Sequence, residues 1–202
     1  MIKPFAALPI ILVVLVAAVG IYGWNGGTGK TESPVVAVGE GSLKPFATGT
    51  LAGFLVHAPR KTVAPFIFKD AGGSDVSLSK WQGKVVLLNL WATWCAPCRK
   101  EMPDLAALQK QLGGADFEVV ALSIDRKGAA ASQAFLKEVG ADSLALYTDV
   151  DSASLQALQA LGLPATILID RKGLEAGRLL GPAQWSAPEA IALVKAVIAE
   201  KP

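Results

Sequence analysis

The sequence predicts an α/β domain in which a mixed β-sheet is flanked by helices, preceded by one transmembrane helix. Apolar runs of strand length, such as 85–90 and 117–124, alternate with segments of helical periodicity, which indicates parallel strand pairing. The Asp-Arg-Lys-Gly turn at 170–173 lies between two further apolar runs and predicts an antiparallel hairpin at one edge. Cys95 and Cys98 follow the run at 85–90, so we expect a strand to deliver this pair to the start of a helix.

The N-terminal segment predicts a membrane anchor over residues 1–24. No charged residue occurs from position 4 to 29, and residues 5–22 are almost entirely apolar, which suffices for one helix to cross a bilayer. Because Lys3 and the amino terminus favour the cytoplasmic side, the rest of the chain is expected outside the cytoplasm. A cleavable signal peptide is the alternative, since small residues at 18 and 20 are typical of a cleavage site. Export follows from either interpretation.

Residues 25–60 are interpreted as a linker between the anchor and the domain. Glycine and proline recur along this stretch, and its apolar runs are too short for a separate domain. His57, the only histidine of the chain, is expected to be a solvated linker residue. The folded domain is then predicted over residues 61–202.

The first half of the domain is predicted to contain a hairpin, a buried strand and a helix. Short strands at 65–68 and 75–78 enclose a glycine-containing turn, which predicts the hairpin. The continuous apolar run at 85–90 is typical of a buried strand. Apolar residues recur at helical spacing over 98–112 and predict a helix that is bent at Pro103 and ends at the two following glycines.

The second half continues the alternation of strands and helices. Further strands are predicted at 117–124, 144–147, 165–169 and 174–180, and further helices at 129–139, 152–161 and 187–199. Ser186 and Glu189 have the spacing of a capping box and are expected to cap the last helix.

Composition excludes several classes of protein. Two cysteines rule out a scaffold of several disulfides, and a bridge between neighbours closes too short a loop to constrain the unfolded chain much. A closed structural zinc site needs four ligands, which this pair cannot supply. The net charge of +2, without a basic cluster, argues against nucleic-acid binding. The role of Cys95 and Cys98 is therefore predicted to be chemical, and no cofactor or metal site is predicted.

The position of the pair predicts thiol–disulfide chemistry. The amides at a helix N-terminus stabilise negative charge, so Cys95 is assigned as the nucleophilic thiolate and Cys98 as the resolving thiol. Arg99 and Lys100 would add to this effect if they lie close to the sulfur. Ala96 and Pro97 bring no positive charge between the cysteines, which favours a stable disulfide and hence a reductant.

Several segments together resemble one known family. The string from Trp91 to Pro103 (Trp-Ala-Thr-Trp-Cys-Ala-Pro-Cys-Arg-Lys-Glu-Met-Pro), the segment 162–166, the turn at 170–173 and the segment 181–185 are similar to the TlpA/ResA branch of thioredoxin-like proteins. Members of this branch are membrane-tethered thiol–disulfide oxidoreductases that work outside the cytoplasmic membrane. The resemblance covers about residues 64–200. It implies a thioredoxin-like fold with an N-terminal hairpin and a central βα insertion.

The resemblance also assigns roles to single residues. Glu101 occupies the position of a functional acid in this branch, although position alone leaves a solvated surface glutamate equally open. Thioredoxin carries a buried aspartate where this chain has Asn89. Pro164 is expected to have a cis peptide bond. The surface that docks partner proteins is expected to include Trp94, Ala96, Pro97, Leu163 and Pro164, whereas Trp91 is expected in the core.

The expected partners also follow from the resemblance. They are disulfide-bearing exported proteins, such as apocytochrome c or copper-centre assembly factors, and a membrane thiol-electron donor of the CcdA/DsbD kind. The expected location is the bacterial cytoplasmic (inner) membrane, with a single pass and the catalytic domain in the periplasm. Two alternatives stay open: a copper-carrying module that uses the two cysteines with Met102, and a peroxidase-type thiol enzyme on the same fold.

Overall fold

The computed structural model describes residues 42–200, which form eight strands and four α-helices. The predicted anchor at 1–24 and the first part of the predicted linker lie outside the described residues. The strands are Leu55–Thr62 (β1), Phe68–Asp70 (β2), Asp75–Val76 (β3), Val85–Trp91 (β4), Phe117–Ser123 (β5), Leu146–Thr148 (β6), Ala165–Ile169 (β7) and Leu174–Leu180 (β8). The helices are Ala96–Leu112 (α1), Gly128–Glu138 (α2), Ala153–Ala157 (α3) and Pro188–Ile198 (α4).

All eight strands belong to one mixed sheet, in the order β1-β8-β7-β4-β5-β6-β2-β3. Strand β5 pairs in parallel with β4 and with β6, and every other pairing is antiparallel. The predicted mixed sheet is therefore confirmed, and so are the hairpins β2–β3 and β7–β8. The chain between β5 and β7 contains α2, β6 and α3.

The central strand β4 is buried on both faces of the sheet, as its continuous apolar sequence predicts. On one face Leu87 packs in a cluster to which α1, α2 and α4 contribute buried side chains. On the other face Leu88 packs with Trp81, Phe68 and Tyr147 in a second cluster. Burial on both faces holds β4 rigidly, and its carboxyl end carries the Cys-x-x-Cys segment.

The predicted boundary between linker and domain at residue 61 is wrong. Strand β1 begins at Leu55, inside the predicted linker, and pairs with β8 at the edge of the sheet. Just before it, Leu43, Leu51 and Phe54 are buried in the same core cluster as residues of α1 and α4. The domain within the described residues therefore begins near Leu43. The burial of these side chains offsets the entropy cost of ordering a glycine-rich segment.

Close packing of Phe54 explains a glycine in the partner strand. A Cβ atom at Gly177 would lie 2.4 Å from Cε1 of Phe54 and 2.6 Å from the carbonyl oxygen of Leu55. Only glycine leaves room for strand β1 and the preceding aromatic ring at this position.

Some predicted details differ from the structure. Helix α3 spans Ala153–Ala157 and is shorter than predicted. The predicted capping box is absent from α4: Ser186 donates a hydrogen bond to Asp104, and Glu189 accepts one from the amide of Thr50. A tertiary partner for each side chain replaces the local bond. Within residues 42–200, no helix combines the length and the hydrophobicity needed to cross a membrane.

Candidate active site

The two cysteines lie at the junction between β4 and α1. They form a disulfide, with Cα atoms 5.3 Å apart. Cys95 is the N-cap of α1, and its sulfur accepts a hydrogen bond from the amide of Cys98 at 3.3 Å. Cys95 is 5% exposed and Cys98 is fully buried. A thiolate at Cys95 would therefore be stabilised by an amide N–H and by the positive end of the helix dipole.

A buried aspartate fixes the chain just before Cys95. The backbone amide and the hydroxyl of Thr93 both donate to Oδ2 of Asp125, which follows β5. Oδ1 of Asp125 accepts from the amide of Lys127 at 2.9 Å. Burial would raise the pKa of Asp125, but these hydrogen bonds and the charge of Lys127 hold it below its ordinary value. Sequence reasoning missed Asp125; its position after a strand adjacent to β4 was the available signal.

The guanidinium group of Arg99 is held by other contacts and is not available to stabilise a Cys95 thiolate. Its guanidinium group pairs with Glu138 at 2.7 Å and lies over the ring of Phe135, 4.6 Å from the centroid. These contacts tie the first turn of α1 to α2.

Glu101 lies on the buried side of helix α1 and is not a solvated surface residue. Its Oε1 accepts from Nδ2 of Asn89 at 2.8 Å, and its Oε2 accepts from the amide of Ala183 and from the indole N–H of Trp185. Burial raises the pKa of Glu101 to about 7, although these three hydrogen bonds oppose the shift. A carboxyl group with this pKa can exchange a proton near neutral pH.

Asn89 also donates to the hydroxyl of Thr166 at 2.9 Å. It lies on β4, whereas Thr166 lies on β7, two residues after Pro164, which ends the loop beside the site. The amide thus joins the carboxyl group of Glu101 to the strand that follows Pro164. An aspartate at this position would place a second negative charge beside Glu101.

An open pocket lies beside the disulfide, with a volume of about 460 Å³. Its lining is mainly apolar: Trp94, Cys95, Ala96, Pro97, Ile124, Leu155, Ala160, Leu161, Gly162 and Leu163. Four of the residues expected to dock partners therefore share one surface. The fifth, Pro164, follows Leu163 with a cis peptide bond.

Two large apolar side chains project at the rim of this active-site pocket. Trp94 is 67% exposed and Leu161 is 92% exposed, while Trp91 is fully buried. Sequence reasoning missed Leu161 because it assigned this residue to the end of the predicted helix 152–161, whereas the helix ends at Ala157. Exposed apolar groups that face a pocket are typical of a binding surface.

Within 42–200, no group of three or more His, Cys, Asp and Glu side chains lies together as possible ligands.

The prediction that His57 is a solvated linker residue is wrong. His57 is buried, and its Nε2 lies 2.9 Å from Oε1 of Glu175.

Two proteins of similar sequence are both named thiol-disulfide oxidoreductase ResA. Thiol-disulfide oxidoreductase ResA of Bacillus subtilis is 35% identical over 108 residues, which cover 54% of this chain and 59% of that protein. ResA of Geobacillus kaustophilus is 29% identical over 163 residues, which cover 81% of this chain and 79% of the relative. The chain thus spans about three fifths of the first of these relatives.

Solved structures show the same fold. A crystal structure from Chlorobium tepidum, described as a thiol:disulfide interchange protein DsbE, superposes with a TM-score of 0.62 at 26% identity. The match covers 69% of this chain and 97% of that one. The thioredoxin domain of an oxidoreductase from Bacteroides vulgatus superposes with a TM-score of 0.59 at 23% identity, which bears on the fold alone. The predicted thioredoxin-like fold is confirmed.

The family model named Redoxin matches residues 58–193, which include the disulfide, Glu101 and the pocket. The match extends from strand β1 into helix α4. The expected resemblance to ResA-type proteins is confirmed by the curated relatives. On this basis the chain belongs to the Redoxin family.

Proposed function

We propose that this protein is a thiol:disulfide oxidoreductase that reduces disulfides in exported proteins. The observation that carries the proposal is the position of Cys95 as the N-cap of α1, with the amide of Cys98 donating to its sulfur at 3.3 Å. This geometry favours a thiolate at the mouth of an apolar pocket, where a partner disulfide can reach it.

The reaction has two exchange steps. In the reduced protein, the Cys95 thiolate attacks one sulfur of the client disulfide; a mixed disulfide forms and the other client sulfur leaves as a thiolate. Cys98 then loses its proton and attacks the sulfur of Cys95. The internal disulfide forms, the second client thiolate leaves, and two electrons have passed from the protein to the client.

Glu101 is proposed as the proton acceptor for Cys98. It lies one helical turn further along α1, and its pKa of about 7 is matched to proton transfer near neutral pH. The carboxylate can take up the proton of the resolving thiol, and the carboxylic acid can return it when the disulfide is reduced again.

The proposed direction of electron flow rests on the neutral residues between the cysteines. Ala96 and Pro97 add no positive charge that would stabilise the thiolate further. A less stabilised thiolate corresponds to a more stable disulfide, so the reduced protein is expected to donate electrons.

The place of this reaction is proposed from the sequence. The apolar segment at 1–24 is proposed to anchor the chain in the bacterial cytoplasmic membrane, with the domain in the periplasm. Because that compartment supplies no reducing pool, a membrane thiol donor of the CcdA/DsbD kind is proposed to regenerate Cys95 and Cys98. Apocytochrome c or copper-centre assembly factors are the proposed clients.

Trapping of the mixed disulfide tests the proposal. The full-length Cys98→Ser variant is mixed, after reduction, with a peptide that contains one disulfide. We expect a covalent complex through Cys95 that dithiothreitol releases, and none with Cys95→Ser. The wild-type protein is expected to reduce the peptide with dithiothreitol as electron source. If Cys98→Ser forms no complex and the wild type does not reduce the peptide, the proposal is wrong.

A further inference from the structure

A buried cluster of ionisable side chains lies outside the active site, at the pairing of β1 with β8. Nε2 of His57 lies 2.9 Å from Oε1 of Glu175. Arg178 donates to both oxygens of Glu175, from Nε to Oε1 and from Nη2 to Oε2, each at 2.5 Å. His57 and Glu175 are both buried, and the Arg178 side chain is 17% exposed. The two-pronged contact fixes the plane of the guanidinium group.

Glu175 and Arg178 carry opposite charges in this cluster. Burial would raise the pKa of Glu175, but Arg178 and His57 hold it below its ordinary value. The hydrogen bonds to Glu175 likewise raise the pKa of Arg178. Glu175 therefore remains ionised, and it holds the arginine in one orientation.

The remaining nitrogen of Arg178 reaches the segment beside the active-site disulfide. Nη1 donates to the carbonyl oxygen of Leu158 at 2.7 Å. Leu158 is the C-cap of α3, and residues 160–163 line the active-site pocket. A cation at the free carbonyl groups of a helix end is stabilising. One arginine thus joins β8 to the segment 158–164, which crosses the site.

The backbone next to this contact has an unfavourable conformation at one residue. Gln159 has a φ of 50°, a left-handed conformation that costs free energy in a residue with a Cβ atom. Leu161, two residues later, is 92% exposed and makes little contact that could hold it. The bond from Arg178 acts on the carbonyl group immediately before Gln159.

We propose that Arg178, oriented by Glu175 and His57, is a positioning residue that holds the segment 158–164 in the conformation that binds the client beside Cys95. This inference rests on the proposed function and extends it to client binding. Arg178 does not touch the reacting sulfur atoms. Its loss is expected to weaken the binding of large disulfide substrates and to leave the thiol chemistry unchanged.

Arg60 offers a matched control for Arg178. It lies on β1, its side chain is 19% exposed, and it pairs with Asp170 and Glu200 at 2.6 and 2.5 Å. Its hydrogen bonds do not include the segment 158–164. Arg60→Met therefore removes two partly buried ion pairs from the same edge of the sheet without touching the segment.

Two measurements on the full-length protein test the inference. The first is amide hydrogen exchange of residues 158–163, the part of the segment with amide hydrogens, in the oxidised state. We expect exchange at least tenfold faster in Arg178→Met, a smaller change in Arg178→Lys, and none in Arg60→Met. The second is steady-state reduction of a disulfide-bonded peptide and of hydroxyethyl disulfide. Arg178→Met is expected to raise KM for the peptide at least threefold and to leave kcat/KM for the small disulfide unchanged.

The possible outcomes separate this inference from the proposed function. Equal exchange in Arg178→Met and Arg60→Met overturns the inference, as does an equal loss of activity toward both disulfides. If Arg178→Met does not fold, the same comparison is made with Arg178→Lys, which retains the charge but not the two-pronged contact. If the wild-type protein reduces neither disulfide, the proposed function fails, while the exchange measurement still decides whether Arg178 holds the segment.

Discussion

Trp185 donates its indole N–H to Oε2 of Glu101 at 3.3 Å, although 84 residues separate the two in the chain. The bond ties the segment after β8 to the active-site helix. The backbone amide of Ala183 and the side-chain amide of Asn89 donate to the same carboxyl group. The buried Glu101 therefore accepts three hydrogen bonds. The carboxyl group of Glu101 therefore links two parts of the fold and can also take up or release a proton.

The first prediction concerns stability as a function of pH. Burial raises the pKa of Glu101 from 4.5 to about 7 in the folded protein. Between these values the folded state holds a proton that the unfolded state has lost, so this contribution is fully present below pH 4.5 and is lost as pH rises through 7. The expected loss in the free energy of unfolding is ~3 kcal/mol in the oxidised protein. Urea unfolding from pH 4.5 to 8 measures it.

Glu101→Gln is the control for this stability prediction. The glutamine cannot ionise, so the difference between wild type and variant is expected to change with pH, in favour of the variant at pH 8. A difference that stays constant over this range contradicts the raised pKa of Glu101.

The second prediction concerns the rate of the resolving step. If Glu101 accepts the proton of Cys98, Glu101→Gln slows the release of a peptide from the mixed disulfide by about a hundredfold at pH 7. The step is followed by rapid mixing of reduced protein with a disulfide-bonded peptide. Unchanged cysteine pKa values and unchanged exchange rates in Glu101→Gln would refute the role of Glu101.

The third prediction concerns the exposed rim of the active-site pocket. Trp94 is 67% exposed, so Trp94→Ala is expected to change the free energy of unfolding by less than about 0.5 kcal/mol. The same change removes apolar area that a client would bury, and KM for a disulfide-bonded peptide is expected to rise about fivefold to tenfold. Trp91→Ala, a buried position, serves as contrast and is expected to destabilise by ~3–5 kcal/mol. A stable Trp94→Ala variant with unchanged KM contradicts the assignment.

The fourth prediction concerns the early boundary of the domain. Gly177→Ala places a Cβ atom 2.4 Å from the ring of Phe54, so it is expected to destabilise the protein by ~1–3 kcal/mol. Denaturant unfolding measures the loss. Gly114→Ala, where an added Cβ meets nothing within 4 Å, is the matched control and is expected to have little effect. Equal stability of both variants would mean that Phe54 does not pack on β8.

Much of the fold was predictable because its signals are local. The continuous apolar sequence of β4 predicts a strand buried on both faces, and the cysteine spacing after it predicts a helix start. Strand β1 was missed because its partner, β8, lies more than a hundred residues away in sequence. Pro45, Gly49 and Gly53 indicate a linker by composition, whereas the pairing of β1 with β8 and the burial of Phe54 show a folded segment.

The candidate site divides in the same way. Cys95, Cys98 and Pro97 are adjacent in sequence, so one motif predicts them together. The burial of Glu101 was undecided by position, because its donors Asn89 and Trp185 come from other parts of the chain. The buried pair of His57 with Glu175 was missed for the same reason.

The central claim is that the Cys95–Cys98 disulfide is stable enough for the reduced protein to act as a reductant. The most direct test is the equilibrium reduction potential of the full-length protein, measured against glutathione and dithiothreitol. We predict a value near or below that of thioredoxin, roughly −270 mV. A value near that of the strong oxidant DsbA, about −120 mV, would contradict the account and indicate a protein that introduces disulfides.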